Sequence, residues 1–344
     1  MRPPPTRRTA VAPTTERPGD QALDGRRRLL GSLAILVAAA SFGTLGPVSR
    51  LAYDGGLEPL GFVAWRSAIG GAVLAVYLVF RVARGSERWV PFRSLDRRTA
   101  GSLAIVTISA VLLNLAIFSA FGRVSVALAL LGFFTYPVMV ALFDAAVRHE
   151  ALGRPTVASL TMAVAGMVLV VAGGLGSAGA IQVDVIGLGL AFFAACMQTL
   201  FVAMSRASYK AVPTLQAMTV ILLGDAAAFV VLAVIIGAGA QLAGPFAHPS
   251  TWGLLLIGGG IGAGLASALF LAGIRLLGGL RAGILALFEP VVGVILAALV
   301  LSETVAPVQI AGGVLVIAAA VVLQVLDPRR GPGTVPPEAI PGTG

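Results

Sequence analysis

Apolar positions run along this chain in blocks of about twenty, and the polar positions collect in the short stretches between them. Ten such blocks can be marked, at about 29–49, 59–80, 99–119, 124–146, 155–175, 184–204, 214–237, 252–274, 281–301 and 305–326. Each is long enough, and poor enough in charge, to cross a hydrocarbon layer roughly 30 Å thick as a helix. The ends of the chain break the pattern. Residues 1–28 hold five prolines and seven arginines without apolar periodicity, and 327–344 are again rich in Pro and Gly. Both segments predict disordered tails.

The pattern also repeats. At a constant offset of 153 residues Ala129 falls on Ala282, Pro137 on Pro290, Val138 on Val291, Ala145 on Ala298 and Glu150 on Glu303. The first block ends in Ser49-Arg50-Leu51-Ala52-Tyr53 and the sixth in Ser205-Arg206-Ala207-Ser208-Tyr209, the same S-R-x-x-Y at an offset of 156. A cleaved secretory leader has no such twin, so the first block is read as a permanent span. The chain therefore divides into a first repeat over 29–175 and a second over 176–326, flanked by the two tails. With five helices each, an odd number, the second repeat enters the membrane from the opposite side. The predicted fold is an all-α integral membrane protein of ten transmembrane helices in two inverted five-helix repeats. That layout is the signature of a secondary transporter whose site lies near the midplane, with one five-helix half rocking against the other.

Composition agrees. Hydrophobic residues make up 58% of the 344 and charged residues 11%, and mean hydropathy is +0.96, whereas a soluble domain carries about 25% charged residues. The single cysteine, Cys196, lies inside a block and excludes an internal disulfide and a multi-cysteine metal site. A net charge of +9 does not imply a nucleic-acid partner here, because the arginines lie in segments between spans. With the N-terminus inside, the inner segments hold 21 of the 24 basic residues and the outer ones only Arg50 and Arg123. That bias predicts both termini in the cytoplasm, on a multi-pass protein of the cytoplasmic membrane.

Candidate chemistry follows from what should not be inside a membrane. Pro137 and Pro290 each remove one backbone bond from a span, freeing the carbonyls of Phe133 and Ala286, and predict two broken helices lining a path. Four ionisable side chains lie within blocks: Arg66, Asp144, Asp225 and Glu289. A charge at a helix centre costs about 2.5–3.5 kcal/mol, so its place is a path or a pair inside the bundle. Glu289 and Asp225 are candidates for binding a proton or an amine, Arg66 for binding a carboxylate or phosphate or for pairing with one of those acids, and Asp144 for an interfacial role. Tyr136 occupies the position equivalent to Glu289, and Asn114 and Gln198 add polar groups at depth. Gly258, Gly259, Gly260, Gly262 and Gly264 predict close helix packing in the eighth block. No phosphate-binding loop, zinc-protease helix or nucleophile elbow occurs, and no cofactor is expected.

These residues carry a resemblance. Ten spans, the twofold repeat, the A-x-x-x-x-x-x-x-P-V-x-x-x-x-x-x-A-x-x-x-x-E pattern with its FEPVVG form in the second copy, and an arginine in the second span are similar to the EamA family of the drug/metabolite transporter superfamily. The resemblance covers about 29–326 and implies export of amino acids or related small metabolites, carried by Pro137, Glu150, Pro290, Glu303, Glu289 and Arg66. The chain departs from the pattern where Leu222 stands opposite Arg66, and where Ser159 and Leu160 stand opposite Gly312 and Gly313, so the fifth and tenth helices need not pack alike. The expected partners are a small-molecule substrate and the bilayer, with proton coupling and a homodimer both compatible. Efflux of lipophilic cations is the competing reading. An intramembrane enzyme acting on lipid-linked substrates is a further one, disfavoured because His149 and His248 fall in loops on opposite sides.

Overall fold

The structure, a computed structural model, describes residues 18–121, 123–124, 126–147, 149, 152–173, 184–206, 208–301 and 305–326. They are all-helical, with no strand among them: α1 Pro18–Gly43, α2 Leu45–Asp54, α3 Pro59–Ala83, α4 Arg97–Phe121, α5 Val126–Phe133, α6 Tyr136–Val147, α7 Arg154–Gly173, α8 Val185–Ser205, α9 Thr214–Ile235, α10 Gly239–Ala247, α11 Trp252–Leu256, α12 Ala266–Leu277, α13 Gly279–Ala286, α14 Glu289–Leu301 and α15 Pro307–Leu326. A π-helical stretch, Ile257–Leu265, joins α11 to α12. Nine helical stretches among the described residues are long and apolar enough to cross a membrane, and Pro307–Leu323 is a shorter apolar helix. Val79, Val234, Ile235 and Leu299 are 68–75% exposed on their outer faces. Such a surface belongs in hydrocarbon, and the chain is a multi-pass membrane protein.

Where the helices start, bend and stop follows from local chemistry. Proline opens α3 at Pro59, where its missing N–H and fixed φ do no harm. The fourth block breaks into α5 and α6 at Phe134–Thr135, and the ninth into α13 and α14 at Leu287–Phe288, in each case just before a proline. The amide that a continuous helix needs four residues after Phe133 and Ala286 is absent at Pro137 and Pro290. At the first break the Thr135 hydroxyl donates to the Gly132 carbonyl at 2.7 Å. The first block also breaks, at Thr44, three residues before Pro47. There the Thr44 hydroxyl donates to the Ser41 carbonyl at 2.7 Å. This third break has no counterpart in the second repeat, where Ala203 stands at the matching position.

Two expectations are corrected. Helix α1 begins at Pro18, so 18–28 belongs to it and not to a tail. Gln21, Ala22, Leu23 and Arg26–Arg28 are ready helix formers, and extending a helix already nucleated in the membrane is cheap. The remaining tail residues, 1–17 and 327–344, lie outside the described residues, as do Glu150 and Glu303. Nor do the two repeats form separate halves, because their helices interleave: α3 lies along α9, α7 along α15, α4 along α8 and α1 along α12.

Small residues permit that interleaving. A Cβ on Gly70 of α3 would lie 2.8 Å from the Gly259 carbonyl oxygen and 2.9 Å from the Gly264 nitrogen in the π-helical stretch. A Cβ on Gly166 of α7 would lie 2.7 Å from the Gly312 carbonyl oxygen of α15. Gly166 and Gly312 are not equivalent under the repeat, so the fifth and tenth helices meet asymmetrically. In the S-R-x-x-Y motif of the second repeat Ser205 and Tyr209 share a hydroxyl hydrogen bond at 2.5 Å, whereas in the twin motif the Ser49 hydroxyl donates to the Gly46 carbonyl at 2.9 Å.

Candidate functional site

The polar residues at membrane depth fall into two groups. The first joins α3, α4 and α9. Ser67 donates from its hydroxyl to Asp225 Oδ2 at 2.6 Å, and Asn114 Nδ2 donates to the same oxygen at 3.2 Å. The other end of that amide, Asn114 Oδ1, accepts from Arg66 Nη2 at 3.1 Å. The guanidinium also lies 5.8 Å from the Phe118 ring centroid. Arg66, Ser67 and Asp225 are 7%, 0% and 1% exposed. A cation and an anion are thus held in one dry place with an amide dipole between them, which is how a bundle carries buried charge. Two polar atoms of the group keep no hydrogen-bond partner among the described residues, Arg66 Nε and Asp225 Oδ1. The sequence had not singled out Ser67. Its position next to Arg66 on α3 was the only available signal.

The second group sits where the broken helices meet. Tyr136 is the first residue of α6 and Glu289 the first of α14, so equivalent positions of the two repeats begin two half-helices. Gly283 of α13 faces Tyr136 and Pro137, with a Cβ position 3.4 Å from Tyr136 Cε2 and 3.4 Å from Pro137 Cβ. Tyr136 is buried, with its ring centroid 5.5 Å from that of Phe133. Glu289 is half-buried and within electrostatic range of Tyr136, and among the described residues its carboxylate has no hydrogen bond or ion pair. Its own carbonyl oxygen lies 2.9 Å from a Cβ position on Gly43, the last residue of α1, so the first helix closes on the same point. The N-terminal end of α14 supplies unpaired amides and a positive dipole end beside this acid. All three helix breaks, at Thr44, Thr135 and Phe288, belong to helices that pack in this region.

The structure therefore brings Arg66 to Asp225 through Asn114, and Tyr136 to Glu289. It gives Arg66 no ion pair with Glu289 among the described residues. Asp144 is buried on α6, with Oδ2 3.9 Å from Arg206 Nη1 at the end of α8. Gln198 lies half-buried on α8 with no hydrogen bond to a described residue. No group of three or more His, Cys, Asp or Glu able to hold a metal occurs among the described residues.

The family model described as the EamA-like transporter family matches residues 29–172 and 185–325, and the chain belongs to that family. The two matched stretches follow the two repeats. Members of the family are membrane transporters, not enzymes. No curated protein matches the chain. A solved structure described only as the crystal structure of a protein superposes with a TM-score of 0.70 at 23% identity, over 90% of this chain and 99% of its own. That likeness concerns the fold alone.

Proposed function

We propose that this EamA-family chain is a secondary exporter of small polar metabolites bearing an amine, amino acids or related compounds. In this reading it crosses the cytoplasmic membrane ten times, with both termini inside. The observation that carries the substrate class is Glu289: a half-buried carboxylate at the start of a half-helix, beside a second half-helix, with no cation assigned to it among the described residues. An ammonium group or a proton is what such a carboxylate lacks. Arg66 is a weaker candidate for touching substrate, because Asn114, Asp225 and Phe118 already engage it. The inward bias of arginines supports the orientation.

Alternating access is proposed to run between interleaved groups. One contains α1, α2 and α11–α14, the other α4, α5, α6 and α8, and the pairs α3–α9 and α7–α15 bridge them. Gly283 meets Tyr136 and Pro137 on the boundary between these groups. Binding at Glu289 would there bias which side is open.

Efflux of lipophilic cations remains the second reading, favoured by the cluster of aromatic rings of Phe133, Phe134 and Tyr136, the last of them within electrostatic range of Glu289. A thermal-shift screen at two pH values separates the two. Stabilisation by amino acids supports the first reading, and stabilisation only by lipophilic cations the second. A ligand at a hundredfold excess over its dissociation constant contributes about 2.7 kcal/mol.

A further inference from the structure

On the outer face of α3, Ala72, Val73, Val76, Tyr77 and Phe80 line a shallow apolar groove of about 440 Å³. The groove faces away from the bundle, with Val76 72% exposed and Tyr77 and Phe80 each 47%. Two cations stand directly above it, one helical turn on. The Arg84 guanidinium lies 4.1 Å from the Phe80 ring centroid, and that of Arg81 lies 5.9 Å from Tyr77. Arg81 is turned into its own helix end, with Nη1 donating to the Tyr77 hydroxyl and Nη2 to the Ser86 carbonyl and to Glu87. Arg84 is different. It is exposed, stacked, and makes no hydrogen bond to any described residue, so its planar fork of donors is oriented but unoccupied.

The backbone holds that fork in place. Gly85 adopts φ +68°, Ser86 N donates to the Arg81 carbonyl at 3.0 Å and Gly85 N to the Val82 carbonyl at 2.9 Å, which terminates α3 at Arg84. Beyond the turn the chain stays pinned, because the Gln216 side chain of α9 exchanges two hydrogen bonds with the Val90 backbone, at 3.0 and 2.7 Å. The segment 81–98 carries six arginines against Glu87 and Asp96. Each acid already has a donor, Arg81 for Glu87 and the Thr99 amide for Asp96. Trp89 and Phe92 add exposed rings of the kind that sit among headgroups.

We propose that this face of α3 binds an anionic phospholipid, with an acyl chain along Ala72–Phe80 and the phosphodiester on the Arg84 fork. An apolar groove capped by a stacked guanidinium matches a molecule that is hydrocarbon at one end and anionic at the other. A choline or ethanolamine headgroup would bring its own cation against this arginine-rich end, so the match is to a net-negative lipid. The site does not include Glu289 or Tyr136. It touches the same unit all the same, since α3 carries Arg66 and Ser67 and the following segment is tied to α9.

The test is native mass spectrometry of the full chain in mixed micelles containing phosphatidylglycerol or phosphatidylcholine with identical acyl chains, with melting temperature followed in parallel. Wild type is expected to retain phosphatidylglycerol in preference and to melt higher with it. Arg84→Gln is expected to cut that preference about fivefold, the equivalent of one basic contact at a charged membrane surface. Val76→Trp, which fills the groove and leaves every charge in place, is expected to lower retention of both lipids. Inorganic phosphate should neither bind nor stabilise. Equal retention of the two lipids by wild type, a preference unchanged in Arg84→Gln, retention undiminished in Val76→Trp, or stabilisation by free phosphate instead of lipid overturns the proposal.

Discussion

A lone guanidinium or carboxylate at membrane depth costs about 2.5–3.5 kcal/mol, and Arg66 and Asp225 offset that cost by sharing Asn114. Truncating one partner strands the other. Arg66→Ala is therefore expected to destabilise the protein by about 3–5 kcal/mol, and a paired change to apolar residues, Arg66→Leu with Asp225→Leu, to recover most of that loss. Melting temperatures of the two variants and wild type in one detergent check this; Arg66→Ala as stable as wild type would contradict the pairing. Glu289 behaves differently in this account, because no partner among the described residues is lost when its charge is removed. The sequence exposes all four of Arg66, Asp144, Asp225 and Glu289 simply because charge is rare in an apolar block. It does not expose their pairing, which depends on the register between α3, α4 and α9, nor Ser67, which is an ordinary residue in any span until Asp225 is seen beside it.

Among elements, the interrupted helices are those we propose to carry transport, and the glycine contacts carry the packing. Pro137→Ala and Pro290→Ala restore the amides that Phe133 and Ala286 lack, so each is expected to leave melting temperature unchanged or higher while slowing transport. Flux and thermal melts on the same preparations decide it, and transport at the wild-type rate in both would remove the breaks from the mechanism. In α3 a methyl on Gly70 meets backbone of the π-helical stretch, whereas Gly260 has open space around it. Gly70→Ala is expected to cost about 1–3 kcal/mol and Gly260→Ala nothing measurable, as read by melting temperature. At the start of α8 the Asp184 carboxylate is held below the usual carboxylate range, first by the Arg123 guanidinium at 3.1 Å and then by the Ile186 amide at 2.8 Å. A depressed value means that its contribution is complete above the ordinary range near pH 4 and fades as pH falls below it. Protection factors at the first turn of α8, taken relative to the intrinsic exchange rate at each pH, should fall on acidification in wild type and lose that dependence in Asp184→Asn. The proline breaks and the glycine-rich eighth block are legible in the sequence, one through symmetry and the other through composition. The break at Thr44 is not, because Pro47 has no twin for the repeat to highlight.

At the scale of the whole molecule, ten apolar blocks and a constant offset are enough to read an all-α membrane protein built from two repeats, and the family match over 29–172 and 185–325 agrees with that reading. The offset says which positions are equivalent, and nothing about which helices touch. Contacts between α1 and α12, α4 and α8, and α3 and α9 depend on three-dimensional closure of small-residue faces, and they interleave the helices of the two repeats. Near their boundary stands Glu289, the first residue of α14, within electrostatic range of Tyr136 at the start of α6. The direct measurement is counterflow of a labelled amine-bearing substrate, taken from the thermal-shift screen, into proteoliposomes holding wild type or Glu289→Gln at matched folded content. The account predicts saturable, competitor-sensitive uptake by wild type and its loss in Glu289→Gln at an unchanged melting temperature. Uptake by Glu289→Gln at the wild-type rate and affinity would contradict it.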